Sequence, residues 1–138
     1  MIIYCAGPIR GDSTHHIYFK NMIKYVEQLG HSVLSGMSEK FNSTIPLTDK
    51  QIYKRDLKWI DGSKVMIAEI SGSSSGVGFE IAYGIFKRKL PILALHISET
   101  DQISAMILGC DSSLLTVQKY QNEEVMKTKI KVYLSKIS

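Results

Sequence analysis

Three observations predict a doubly wound α/β fold, of the Rossmann-like or flavodoxin-like kind, with a five-stranded parallel sheet covered by helices on both faces. Short apolar runs alternate with longer helical patterns in the order βαβαβαβαβα. The runs are apolar throughout rather than alternating, as strands buried on both sides are. At 138 residues the chain has the length of one domain, spanning 1–138, and is too short for two real cores.

Each element has a local cause in the sequence. Residues 2–5 form the first strand, and a turn with Gly7, Pro8 and Gly11 leads past the candidate caps Asp12, Ser13 and Thr14 into a helix. That helix sets Ile17, Met22, Ile23, Val26 and Leu29 on one face and ends at Gly30, just past the C-cap, where glycine is favoured. Residues 32–35 form a short second strand, followed by a polar loop over 36–47. Thr48, with Gln51 three residues on, is a capping box that opens a helix through Ile52, Leu57, Trp59 and Ile60 to Asp61-Gly62. The third strand, 65–70, is apolar except for Glu69. A Ser/Gly loop over 71–76 then opens a helix from Val77 to about Lys89, with Phe79, Ala82, Tyr83 and Phe86 on its apolar side. Residues 91–96 are the fourth strand, 103–109 a short apolar helix and 114–117 the fifth strand. Asn122 caps the last helix, with Glu123 and Glu124 at its positive end. Met126, Ile130, Tyr133, Leu134 and Ile137 form the buried face of that helix, and Lys127, Lys129, Lys131 and Lys136 its solvated face.

Composition removes several classes of function. Hydrophobic residues make up 44% and charged residues 22%, which excludes a disordered tail, a collagen-like fibre and a coiled coil. No apolar run approaches the roughly 18 residues that span a bilayer, so no membrane association and a cytoplasmic location are expected. Cys5 and Cys110 lie far apart with no CxxC, and both are expected as buried thiols rather than a disulfide or zinc site. His15, His16, His31 and His96 show no metal-ligand spacing, and the His15-His16 pair is expected to face solvent. The net charge of +4 suits an anionic partner, but the terminal lysines read as a solvated helix face and not as a nucleic-acid stripe.

In doubly wound sheets ligands bind beyond the carboxyl ends of the strands, which directs attention to the loops after strands one, three and four. The first carries Tyr4-Cys5-Ala6-Gly7-Pro8-Ile9-Arg10-Gly11. Its glycines let backbone approach a ligand, and Arg10 between them is a planar fork for phosphate or carboxylate, although a surface arginine in a tight turn would look the same. Gly7 and Gly11 are four apart without a middle glycine, so this is not a GxGxxG dinucleotide motif. The second loop runs from Ser71 to Gly78 between a strand and a helix, an anion cradle of small residues at a helix N-terminus. It lacks the Lys-Ser/Thr ending of a P-loop. Glu80 follows in the first turns of that helix, where the dipole favours a carboxylate, and Asp56 lies on the preceding helix with Arg55 and Lys58 at hand to pair it. Two acids in one crevice, one ionised and one bearing a proton, are what glycosyl transfer requires.

The stretches 3–11, 56–81 (DLKWIDGSKVMIAEISGSSSGVGFEI) and 103–109 (ISAMILG) resemble the 2′-deoxynucleoside 5′-phosphate N-hydrolases of the nucleoside 2-deoxyribosyltransferase superfamily. GPIRG, DLxW, AExS, SxGVGxE and SAM occur in the same order over most of the chain. The resemblance implies that Glu80 is a nucleophile attacking the anomeric carbon of deoxyribose, and that water opens the resulting glycosyl-enzyme. It implies that Asp56 orients the sugar and helps protonate the departing base, and that Tyr4 lies beside sugar and nucleophile. Arg10 and Ser74 match phosphate-binding positions, with the amides of Gly76 and Gly78 suited to the same task and Gly7, Ile9 and Gly11 lining the substrate. Ser104, with Met106 beside it, matches a phosphate-binding serine that reaches the partner's site in a homodimer. Transferases acting on unphosphorylated nucleosides usually carry Asn at the position of Ser104, so the resemblance favours a 5′-monophosphate as small-molecule substrate. No metal or other cofactor and no nucleic acid polymer is implied. Lys64, Ser75 and Met37 depart from the usual family pattern, and Glu69 reads as structural. A 2-deoxyribosyltransferase, a CMP-type ribonucleotide hydrolase and a non-catalytic nucleotide sensor stay open as alternatives.

Overall fold

The computed structural model describes residues 1–38 and 45–137. Five strands, β1 (Ile2–Ala6), β2 (Ser32–Leu34), β3 (Val65–Glu69), β4 (Ile92–Ile97) and β5 (Leu115–Tyr120), form one sheet in the order β2-β1-β3-β4-β5. Every pairing is parallel. This is the flavodoxin-like strand order, and its switch point lies between β1 and β3, the place where such sheets bind ligands. The helices are α1 (His16–Gln28), α2 (Asp49–Asp61), α3 (Ser75–Ala82), α4 (Ala105–Leu108) and α5 (Glu123–Ser135).

Alternation along the strands divides the core in two. Ile3, Cys5, Ile67, Leu93 and Leu95 face α1 and α5, where they meet Phe19, Met22, Val26, Met126 and Ile130. Tyr4, Ala6, Met66, Ala68 and Ala94 face the other way, against Ile60, Val77, Ile81 and Ile85. Strands buried on both faces explain the continuous apolar runs. None of the described helices is long and apolar enough to cross a membrane.

Local signals behave as their chemistry demands. The Thr48–Gln51 capping box is complete, each side chain accepting from the other residue's backbone amide. Asn122 Oδ1 accepts from Val125 N at 3.0 Å, and Gly30 has φ +94°.

Several expectations need correction. Asp12, Ser13 and Thr14 do not cap α1: His15 is the N-cap residue and makes no side-chain capping bond. Asp12 instead closes a turn on itself, accepting from the amide and hydroxyl of Thr14. Ile17 is exposed, and Phe19 occupies the buried face of α1 in its place. His15 and His16 are half-buried rather than solvent-facing, and His15 Nδ1 and His16 Nε2 have no hydrogen-bond partner among the described residues. Cys5 is buried but Cys110 only partly so.

The helix after β3 begins at Ser75, two residues early, because Ser74 caps it. It runs as α-helix to Ala82 and then loosens into a π-helical turn over Tyr83–Lys87, where Arg88 N reaches Tyr83 O. Its expected apolar side is turned the wrong way. Val77, Ile81 and Ile85 are buried, whereas Phe79 and Phe86 are exposed. β5 extends to Tyr120, three residues beyond its expected end, because Tyr120 fills the core. The expected loop over 36–47 lies partly outside the described residues.

Candidate active site

The β1–α1 and β3–α3 loops dock on each other at the switch point. Asp12 N donates to Ser73 O at 3.2 Å. A Cβ on Gly11 would stand 2.1 Å from Ser73 O, and one on Gly72 would stand 2.6 Å from Asp12 O, so both positions exclude a side chain. At Gly7 a Cβ would strike the Phe19 ring at 2.4 Å, so its bareness accommodates the core.

Beneath these loops three elements bring their polar side chains together. Tyr4 from β1 donates its hydroxyl to Glu80 Oε2 of α3 at 2.6 Å. Asp56 from α2 is within hydrogen-bonding reach of Glu80. Arg55, also from α2, holds Asp56 Oδ1 through Nε at 3.0 Å and Nη2 at 2.9 Å. Burial, above all, pushes the Glu80 carboxyl up to about 8. The charge of Asp56 and its hydrogen bond add to the rise, while the Tyr4 hydroxyl and the Arg55 cation oppose it. Burial and then the negative charge of Glu80 keep the Tyr4 phenol protonated far into the alkaline range. Near neutrality Glu80 therefore keeps its proton, which it can share with the carboxyl within its reach.

A cavity of about 200 Å³ is lined by Ser73, Ser74, Val77, Ser104 and Ile107 among others; it shares helix α3 with Glu80, but none of Tyr4, Asp56 and Glu80 lines it. Two helices present their N-termini to it through capping serines: Ser74 Oγ accepts from Val77 N at 3.2 Å, and Ser104 Oγ accepts from Ile107 N at 3.4 Å. Each hydroxyl keeps its own proton to donate. A Cβ on Gly76 or Gly78 would meet nothing closer than 3.7 Å, so the backbone there is open to a ligand. Gly78 offers less than expected, since its amide already donates to Ser74 O at 3.3 Å. The amides of Ser75 and Gly76, in the first turn, are the ones a helix leaves unpaired.

Arg10 stands on the surface, paired with Asp49 Oδ1 at 2.8 Å, both side chains largely exposed. Such a pair is weak enough to exchange for a phosphate. Ile9 is exposed, with its Cδ1 near Gly36. Met106 is 85% exposed, outside the cavity that Ser104 lines. A larger cavity, about 280 Å³, lies between β5 and α5 among Gln118, Lys129 and Tyr133, but no carboxylate lines it. Among the described residues no group of His, Cys, Asp or Glu is placed to hold a metal ion.

Sequence reasoning passed over Arg55 as an ordinary surface partner. The signal available was Trp59, one helical turn on, whose ring stacks under the guanidinium at 4.6 Å.

A parallel sheet with a carboxyl pair and a small-residue anion cradle at its switch point has the make-up of an enzyme's active site. The model of the nucleoside 2-deoxyribosyltransferase family matches residues 3–126, and the chain belongs to that family. It is 34% identical over 131 residues to the 5-hydroxymethyl-dUMP N-hydrolase of Esox lucius, covering 91% of this chain and 90% of the relative. Among solved structures, the CMP N-glycosidase of Clostridium botulinum shares the fold at a TM-score of 0.72 and 18% identity, over 96% of this chain and 99% of that one. The 2-deoxyribosyltransferase of Bacillus psychrosaccharolyticus does so at 0.66 and 17%, over 92% of this chain and 90% of that one.

Proposed function

We propose that the protein hydrolyses the N-glycosidic bond of 2′-deoxynucleoside 5′-monophosphates, releasing a free base and 2-deoxyribose 5-phosphate. The observation that carries this reading is the contact of Tyr4, Asp56 and Glu80, with Glu80 on the same helix whose capping Ser74 lines a cavity together with a second capping serine, Ser104. Asp56 and Glu80 lie within hydrogen-bonding reach, closer than the roughly 6.5–9.5 Å that leaves room for a water between acid and base. That favours double displacement through a covalent intermediate.

The single shared proton is enough for the cycle. Glu80 bonds to C1′ as the C1′–N bond breaks. The bond's electrons leave with the base, and the proton passes to it from Asp56. Water then attacks C1′, Asp56 accepts its proton, and Glu80 departs as a carboxylate, restoring the starting pair. Tyr4 steadies Glu80 and flanks the sugar. Ser74, Ser104, the amides of Ser75 and Gly76, and Arg10 released from Asp49 receive the 5′-phosphate. Gly7 and Gly11 act by permitting close packing, Gly78 leaves the surface of α3 open to the ligand, and Ile9 lines the side where the base leaves. The 5-hydroxymethyl-dUMP hydrolase named for the pike relative supports a 5′-monophosphate substrate. A cytoplasmic location suits that substrate and the two free thiols.

Chromatography of reactions with each deoxy monophosphate, its ribo counterpart and its nucleoside, with and without added base, tests the reading. Base release from deoxy monophosphates, lost in Glu80→Ala with nucleotide binding retained, is expected. Base exchange on nucleosides would move the protein to the transferases, and binding without turnover would make it a sensor.

We further propose that the protein acts as a homodimer joined through the exposed apolar side chains of the α2–α4 face, among them Tyr53, Phe79, Phe86 and Met106. The exposed Met106 then reaches toward the partner's site, and Ser104, which lines a cavity with Ser74 of its own chain, is placed to serve either site. Mixing Glu80→Ala with Ser104→Ala subunits decides the matter. If Ser104 serves the partner's site, the mixed dimer contains one intact site and activity returns; if it serves its own site, none does.

A further inference from the structure

The carboxyl pair is held from behind by a group that the reaction scheme above does not use. Arg55 gives Nε and Nη2 to the same oxygen of Asp56, Oδ1, leaving Oδ2 outside the ion pair. Its guanidinium lies over the Trp59 ring at 4.6 Å. On another side is Gly36, where a Cβ would stand 2.8 Å from Nη2 and 3.0 Å from Ile9 Cδ1. The arginine therefore occupies a fitted slot between two elements, and both members of the ion pair are largely buried, at 23% and 15% side-chain exposure. An adjacent pair on a helix normally points apart, so this geometry needs the slot to exist.

We propose that Arg55 is a positioning residue for the reaction: wedged between Gly36 and Trp59, it orients Asp56 by one oxygen and governs which carboxyl of the Asp56–Glu80 pair keeps the shared proton. The inference rests on the hydrolase reading for its consequence, but not for its test. The titratable groups bearing most on Glu80 are Tyr4 from β1 and Arg55 and Asp56 from α2. Tyr4 is a phenol throughout the working range, so Arg55 is the one permanent cation in the set. With the fork in place, Glu80 carries its proton at rest. When the substrate's base approaches, Asp56 has a free oxygen through which that proton can pass. Without the fork, the anion has no fixed seat and the pair holds both its protons more tightly.

The experiment has two arms. In the free protein, the carboxyl carbons of Asp and Glu are labelled with ¹³C and titrated by NMR in wild type, Arg55→Met, Arg55→Lys and Gly36→Ala. The pair's proton loss should move upward by about one pH unit or more in Arg55→Met, as expected when an adjacent cation is removed. Arg55→Lys should keep most of the wild-type titration. Gly36→Ala adds no charge and meets only side-chain ends, so the chain folds while the fork is displaced, and it should shift in the same direction as Arg55→Met. In the second arm, both limbs of the kcat/KM profile on a deoxy monophosphate should move upward in Arg55→Met, and Arg55→Lys should restore their position while kcat stays below wild type.

Titration curves that coincide in wild type and Arg55→Met overturn the inference, as does a rate loss with both limbs unmoved, which is what mere structural support would give. Absence of turnover in wild type overturns the hydrolase reading instead and leaves the first arm to decide the role of Arg55.

Discussion

Replacing Glu80 by Gln should abolish turnover and at the same time stabilise the folded protein at alkaline pH. Burial raises the Glu80 carboxyl from 4.5 to about 8. The folded chain therefore binds this proton more tightly than the unfolded chain does. The stabilisation from that proton is complete below the unfolded value, falls steadily as pH rises from 4.5, and is gone above about 8. At about 1.36 kcal/mol per pH unit, the whole window corresponds to ~5 kcal/mol, a large part of the stability of a domain this size. Glutamine has no proton to lose, and its side-chain carbonyl can still accept from the Tyr4 hydroxyl. Urea unfolding of both proteins at about pH 5.5 and about pH 8.5 measures the difference. Wild type should lose ~3 kcal/mol relative to Glu80→Gln between the two conditions, with equal m values. Stability curves that run parallel within about 0.5 kcal/mol would show that Glu80 titrates as an ordinary surface carboxylate, and would refute both its burial and the shared proton.

Three further outcomes are expected. Tyr4→Phe removes a donor from ionised Glu80; at about 1.5–3 kcal/mol for a bond to a charged group, the alkaline limb of the pH–rate profile should rise by about one to two pH units. Ser74→Ala should cost about 0.5–2 kcal/mol in thermal or urea unfolding through loss of the α3 cap, and should raise KM for monophosphates while leaving weak turnover of the unphosphorylated nucleosides unaffected. Thr48→Ala breaks the capping box of α2 at its exposed start and should cost about 1 kcal/mol in urea unfolding with no change in kcat.

Much of the fold was legible because its signals are local. A capping box, an Asn before two glutamates and a Gly after an amphipathic run each act within one helical turn, and α2, α5 and the end of α1 lie where they point. The orientation of α3 was not legible. Phe79 and Phe86 dominate any hydrophobic pattern, but the sheet surface under α3 accepts the smaller stripe of Val77, Ile81, Gly84 and Ile85 against Met66 and Ile92. Packing space, not hydrophobicity, chose the face. The site divides in the same way. Glu80, Asp56 and Tyr4 were named from motif resemblance, and their meeting depends on the β1–β3 register, which places Tyr4 opposite Met66. Arg55 was misjudged because its slot is made by Gly36, a residue from a different element.

Glu69, fully buried, and Glu80, partly so, show why a displaced carboxyl does not by itself mark a reactive one. Burial raises both Glu69 and Glu80. Glu69, under α1 and α5, has both oxygens taken: Oε1 accepts from Ser71 N at 2.6 Å, and Oε2 accepts from the Tyr120 hydroxyl. Ser71 Oγ in turn accepts from Ile97 N at 2.8 Å, so this network pins the start of the cradle loop to the end of β4. Fully satisfied, it stiffens the backbone and has nothing left to offer a substrate. Glu80, across the sheet, is held by one phenol and has a second carboxyl within hydrogen-bonding reach. The first glutamate spends its charge on a fixed loop; the second keeps an unstable protonation state that chemistry can use. The sheet between them keeps the Glu69 network apart from the pair, since a third carboxylate beside Asp56 and Glu80 would raise the proton affinity of Glu80 further and leave it neutral when it must attack.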